Sequence, residues 1–241
     1  MSVAGLLARS HATVPLPYVA GPIEHHKKGG FNPYQDNGGT VLAVAGSDFA
    51  VLVADDRVSK GYSICTRSGS KITQLTNHCV IGTSGMLADQ IALHKLLKSK
   101  IAMYKHEHGC EPSTAAVAQM LSVTLYGRRF FPFYTFNLIA GIDEHGKGAV
   151  YGYDAIGSFE RLEHGAQGTG RSLVQSILDN QVSKNNQLIK GEPLNQHQTV
   201  ELCKDVITSA AERDIYTGDS ATVVVLAKDI TRFSKLELRK D

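Results

Sequence analysis

The sequence predicts an α+β fold arranged as a four-layer α-β-β-α sandwich. Short apolar strand-like runs and helical stretches follow the order strands, two helices, strands, two helices, strands, which is not the one-to-one alternation of a parallel βα fold. Two strand groups with two helix pairs suit two antiparallel sheets, each covered by helices on its outer face. From Thr40 onward no stretch reads as an interdomain linker. Residues 31–241 are therefore expected to form one domain, preceded by an extension over residues 1–30.

Each element has its own signal. TVLAVAG and FAVLVADD flank Gly46-Ser47-Asp48 and read as a hairpin. Ser63–Thr66 and Lys71–Leu75 are expected to pair with each other across Ser68-Gly69-Ser70. HCVIGTSG, residues 78–85, has the composition of a buried strand. From Met86 the period becomes helical, with Leu93, Leu96, Leu97, Ile101 and Tyr104 on one side, until Gly109 stops it. Glu111-Pro112-Ser113 starts a second helix that runs to about Gly127, packed antiparallel to the first. Phe131–Ile142 and Gly148–Asp154 read as strands joined by a turn, and Ser158–His164 as another. A third helix follows Gly168-Thr169-Gly170. After the polar loop 183–193, a fourth runs from about Leu194 to Arg213 with Val200, Cys203, Val206, Ile207 and Ala210 on one face. ATVVVLAKD and ITRFSKLEL close the chain as a strand pair.

Composition narrows the function classes. The 241 residues carry a formal net charge of +2, which argues against a dedicated nucleic-acid binder. The four cysteines, at 65, 79, 110 and 203, form no C-x-x-C pair and read as buried thiols of a reducing compartment rather than a disulfide framework or zinc site. No apolar run approaches the roughly 18 residues of a membrane span. The first 30 residues lack the apolar core of a signal peptide and read as a loose tail or removable pro-segment. GIDEHGKG nearly matches a phosphate-binding loop, but it places Gly148 where Ser or Thr must ligate magnesium and runs into a strand, so it reads as a hairpin turn. Phe and Tyr at 130–136 resemble a base-stacking platform and are read as core strand residues. His106 and His108 are read as solvated. No cofactor is implied.

One stretch carries chemistry. In DNGGTVLAVAG, a cut after Gly39 would give Thr40 a free amine and make it an N-terminal nucleophile. Such a residue attacks with its hydroxyl, deprotonated by its own amine of pKa about 8. A nearby ammonium favours the free-base amine, a carboxylate fixes the ammonium, and backbone N–H groups stabilise the oxyanion. Lys71, Asp55 and the turn Ser84-Gly85 could supply these parts. Hairpin register leaves the seat open: a three-residue turn at 46–48 sets residue 39 opposite Asp55, and a two-residue turn at 47–48 sets Thr40 there.

VLAVAGSDFAVLVADDRVSKG, Lys71, VIGTSGMLAD and AERDIYTGDSA, in this order, resemble the β-type subunits of the 20S proteasome, which have the N-terminal-nucleophile hydrolase fold. The resemblance covers residues 31–241. In active subunits the threonine stands 16 positions before the aspartate and 32 before the lysine; both counts reach Gly39, whereas Thr40 leaves 15 and 31. The resemblance therefore implies a catalytic frame of Asp55, Lys71, Gly85, Asp214, Thr217 and Gly218 around a nucleophile position held by Gly39. FNPYQDNGGT, LYGRRFFPFYTFN, DEHGKGAVY, LDNQV, SAAERDIYTGD and LRKD are similar to the family's non-catalytic members. The implied role is architectural: a subunit of the β ring, meeting β subunits of its own and the opposite ring and α-ring subunits, in cytoplasm and nucleus, without nucleic acid or membrane. An active threonine protease using Thr40 is the rival reading. An α-type subunit would need an N-terminal helix that residues 1–30 do not resemble.

Overall fold

The computed structural model describes residues 31–185, 187–188, 192–228 and 230–241. The expected extension over 1–30 lies outside the described residues. Twelve strands and four helices are described between Asn32 and Asp241.

β1 (Thr40–Ala45) and β2 (Phe49–Asp55) form the first hairpin. β3 (Val58–Lys60) pairs with β4 (Ser63–Thr66) as a separate two-stranded ribbon. This corrects the expected pairing of 63–66 with 71–75. β5 (Ile72–Thr76) turns instead onto β6 (Cys79–Gly85). The physical reason is local: Val58-Ser59-Lys60 is a strand too short to stand out, and the turn at Gly61-Tyr62 gives β4 a nearer partner.

α1 (Leu87–His108) buries Gln90, Leu93, His94, Leu97 and Ile101, and Gly109 ends it in the left-handed conformation with its N–H on Lys105 O. α2 (Thr114–Tyr126) is capped by Ser113, whose hydroxyl accepts from the Ala116 N–H. β7 (Thr135–Ile142) begins four residues later than the apolar run suggested, because residues 127–130 continue as turns after α2. β8 (Gly148–Tyr153) follows the 143–147 turn that resembled a phosphate loop.

The stretch expected as one strand over 158–164 is two elements. β9 (Phe159–Leu162) stays with β8, and β10 (His164–Gly168) crosses to the other sheet and pairs with β1. α3 (Arg171–Leu178) runs into one π-helical stretch, Asp179–Ser183. α4 (Gln196–Ala211) opens with a capping box between Asn195 and Gln198. β11 (Ser220–Ala227) and β12 (Ile230–Glu237) complete the chain.

The two large sheets have the orders β10-β1-β2-β11-β12 and β5-β6-β7-β8-β9, with every pair antiparallel. Three apolar layers hold the sandwich. Leu42, Val51 and Val53 meet Val174, Leu178, Cys203 and Ile207 under α3 and α4. Val41, Leu52, Val80, Leu138 and Val224 fill the space between the sheets. Ile81 and Ile139 meet Leu93, Leu97, Val117 and Leu121 under α1 and α2. Alternate residues of β1 therefore face different layers, which fixes where its first residues point.

All four cysteines are free; Cys79 and Cys203 are buried, but Cys65 and Cys110 are exposed, contrary to the expectation of buried thiols. No described helix is long and apolar enough to cross a membrane. His106 and His108 are exposed.

Candidate functional site

The N-terminal end of β1 enters a buried polar pocket. Lys71, just ahead of β5, is 3% exposed. Its ammonium pairs with Asp55 Oδ1 (3.1 Å) and donates to Asp55 O (3.0 Å) and to Arg57 O (2.5 Å). These three acceptors use all three ammonium protons. Asp55 is fully buried. Its Oδ1 also accepts the Thr40 N–H at 2.7 Å, and Oδ2 makes no hydrogen bond among the described residues. Burial pushes the Asp55 carboxyl above the usual range, while Lys71 and the Thr40 amide pull it down.

Gly39 faces this pair. Its φ of +92° lies in the region that favours glycine, and a Cβ on it would stand 2.3 Å from Lys71 Cε, 2.6 Å from Nζ and 2.8 Å from Asp55 Oδ1. The lysine thus fills the space that a side chain at position 39 would need.

Thr40 faces the other way. With Leu42 and Val44 it lies on the α3/α4 side of its sheet. Its hydroxyl accepts the Gly170 N–H at 3.0 Å and meets Thr217 Oγ1 at 2.7 Å. Thr217 donates to Asp214 Oδ2 at 2.7 Å, so the Thr40 proton points to Thr217. Thr169 donates to the same Asp214 oxygen at 2.6 Å, and its N–H holds Gly39 O at 3.0 Å. The order is Gly170 N–H, Thr40, Thr217, Asp214, a line of polarised bonds under α3.

Hairpin register alone would have misplaced the seat. Gly46 N–H donates to Phe49 O at 2.7 Å around a two-residue turn, and the ladder Val41↔Ala54 to Ala45↔Ala50 extrapolates to Thr40 opposite Asp55. Facing is decided differently, because the Asp55 carboxylate is drawn across the strand end by a main-chain N–H and by Lys71.

The chain before Gly39 is strapped down. Asn37 N–H donates to Gly85 O (3.0 Å), and the Asn37 side chain joins Ser59 O (2.9 Å) to the Leu87 N–H (2.8 Å). Tyr34 stacks on Phe131 at 5.6 Å and donates to Pro132 O at 2.6 Å. Gly85, at φ +107°, lies so close to Tyr134 O that a Cβ would stand 2.5 Å from it. A cleft of about 200 Å³ lined by Gly38, Gly85, Gly168 and Thr169 adjoins.

The structure therefore groups Gly39, Asp55 and Lys71 on one side of β1, and Asp214 and Thr217 with Thr40 on the other. Gly218 lies against the Arg57 guanidinium, which pairs with buried Asp219 at 2.8 Å and holds the carbonyls of Ile215, Arg239 and Asp241. Thr169 and Gly170 escaped the sequence reading, where Gly168-Thr169-Gly170 marked only a helix start. Among the described residues no cluster of His, Cys, Asp or Glu is arranged to hold a metal ion.

Two antiparallel sheets between two helix layers, with β1 opening onto a buried Lys–Asp pair, define the N-terminal-nucleophile hydrolase fold. Within that class, the sequence model described as proteasome subunit matches residues 35–226, and the chain belongs to the proteasome subunit family. It is 54% identical over 223 residues to proteasome subunit beta type-1 of Dictyostelium discoideum (91% of this chain, 93% of that protein). It is 47% identical over 216 residues to the protein of the same name from Arabidopsis thaliana (88% and 97%). Proteasome subunit beta type-6 of Saccharomyces cerevisiae is 40% identical over 230 residues (91% and 94%).

Proposed function

We propose that this chain is a non-catalytic β subunit of the 20S proteasome core. It builds the β ring and the proteolytic chamber in which unfolded and ubiquitin-tagged proteins are degraded. It contacts other β subunits of its own and the opposite ring and α-ring subunits, in cytoplasm and nucleus, and needs no cofactor. The relatives named beta type-1 support the place in the particle.

One observation carries the lack of catalysis. The position that faces Lys71 and Asp55 is Gly39, which has no hydroxyl, and the lysine fills that space. In an unbroken chain, residue 39 also carries an amide in place of a basic amine. Loss of a nucleophile removes about six orders of magnitude in rate. On this reading Asp55, Lys71, Gly85, Asp214, Thr217 and Gly218 are a vestigial frame whose present task is to hold strand ends.

The rival, a protease using Thr40 after cleavage at Gly39, requires a hydroxyl that is fully buried and turned to Thr217. N-terminal sequencing and intact mass of the subunit from particles treated with an epoxyketone test the choice. The expected chain begins ahead of Gly39 and carries no adduct. A chain that begins at Thr40, or an adduct on it, overturns the proposal.

A further inference from the structure

Of the stretch 130–136 read from sequence as core strand, Phe133 and Thr135 are buried, but Phe130 and Phe131 belong instead to an exposed knuckle that follows α2. Tyr126 is 64%, Phe130 78% and Phe131 45% exposed, with Arg128 and Arg129 exposed between them. Successive turn bonds fix the backbone: Arg128 N–H to Leu125 O, Arg129 N–H to Tyr126 O and Phe131 N–H to Arg128 O, at 3.0–3.1 Å. Two of the three exposed rings, Phe130 and Phe131, have partners as well. Arg128 Cζ sits 4.2 Å from the centroid of buried Phe133, Arg129 Cζ lies 5.9 Å from that of Phe130, and Phe131 stacks on Tyr34. Neither guanidinium has a carboxylate partner among the described residues, a state shared with Arg171, Arg213 and Arg232; what sets this pair apart is its place between the exposed rings.

Preorganised aromatic rings beside arginine are the composition of an interface centre, where little side-chain entropy remains to be lost on docking. Two cations without partners select an anionic complement. We infer that the Tyr126–Phe131 knuckle is a docking surface for another proteasome subunit, one that presents carboxylates set among apolar side chains. This rests on the proposed place of the chain in the particle. Its consequence reaches the vacated seat. The partner covers Phe131, on which Tyr34 stacks, and so clamps the strap that leads to Gly39. A nucleic acid fits less well, because Phe131 already gives one ring face to Tyr34 and the chain's net charge is only +2.

The test uses particles assembled with the full chain. Arg129→Glu, and separately Phe130→Ala, are expected to keep the free subunit's melting temperature within about 2 °C, since exposed substitutions shift stability little. Incorporation into particles is expected to fall at least tenfold for the charge reversal. A photo-crosslinker at position 130 is expected to join one proteasome subunit through a peptide containing Asp or Glu. Changing that acid to Lys is expected to restore incorporation of the charge-reversed chain. Normal incorporation of both variants, or a crosslink to a second copy of this chain or to nucleic acid, overturns the inference. Failure of the unaltered chain to enter particles at all would instead defeat the proposed function.

Discussion

Replacing Gly39 by alanine should unfold this protein more than any other single methyl added at a positive-φ turn with open space around it. Two costs combine. A non-glycine residue at φ +92° is strained by about 1–2 kcal/mol. The new Cβ at 2.3 Å from Lys71 Cε must also push the lysine off Asp55, and breaking a buried ion pair costs about 3–5 kcal/mol. A total of at least about 4 kcal/mol corresponds to a fall in melting temperature of roughly 8–16 °C for a chain of this size. Gly61→Ala isolates the backbone part, because Gly61 has φ +58° and no atom within 4 Å of its built Cβ; it should cost only about 1–2 kcal/mol. Urea unfolding of each variant gives the costs, and a double-mutant cycle with Lys71→Ala gives the mechanism. Once Lys71 is shortened, Gly39→Ala should cost clearly less than before, keeping the backbone strain and the 2.8 Å approach to Asp55 Oδ1. Equal costs for the two glycines in the unaltered background, or full additivity with Lys71→Ala, would refute the idea that the lysine occupies the vacated seat.

Acid should weaken the fold through His94, which burial holds down to about 4, between Thr83 and Thr73. Its unfolded value is about 6.5, so the unfolded chain binds the proton first, and stability present above pH 6.5 declines by about 3 kcal/mol as pH falls to 4. His94→Gln should flatten the pH dependence of the urea midpoint over that window, and an unchanged slope would count against it. Arg57→Met leaves Asp219 with Arg67 as its remaining guanidinium partner, so it should cost about 1.5–3 kcal/mol for the lost charged hydrogen bonds, and should speed hydrogen exchange at Leu238, whose N–H donates to Asp219 O; exchange unchanged there would separate the tail from the pair. Asn195→Ala removes the cap of α4 and should cost about 1 kcal/mol in a thermal melt, with no loss at all speaking against the capping box.

Much of the site was legible without coordinates only through the resemblance to proteasome β-type subunits, since hairpin register left Gly39 and Thr40 both open and the family's spacing chose between them. Two spacings, from Asp55 and from Lys71, converge on Gly39. What they could not give is the lysine's position over that glycine, or the line from Thr40 through Thr217 to Asp214, which joins residues 177 apart. Thr169 was invisible for the same reason: its partners Gly39 and Asp214 are 130 and 45 residues away.

The fold divides along the same physical line. Sequence by itself determined the grouping of strands and helix pairs, the stop at Gly109, the helix start at Glu111-Pro112-Ser113 and the alternation that turns Thr40 and its neighbour to opposite layers. All are effects of period and of single residues on their own backbone. Tertiary structure alone decided that β4 joins β3, that Glu163 separates two strands of different sheets, and that Lys71 closes over residue 39. Strand pairing and buried charge are settled by contacts distant in sequence, where the need to satisfy every buried donor and acceptor outweighs local preference.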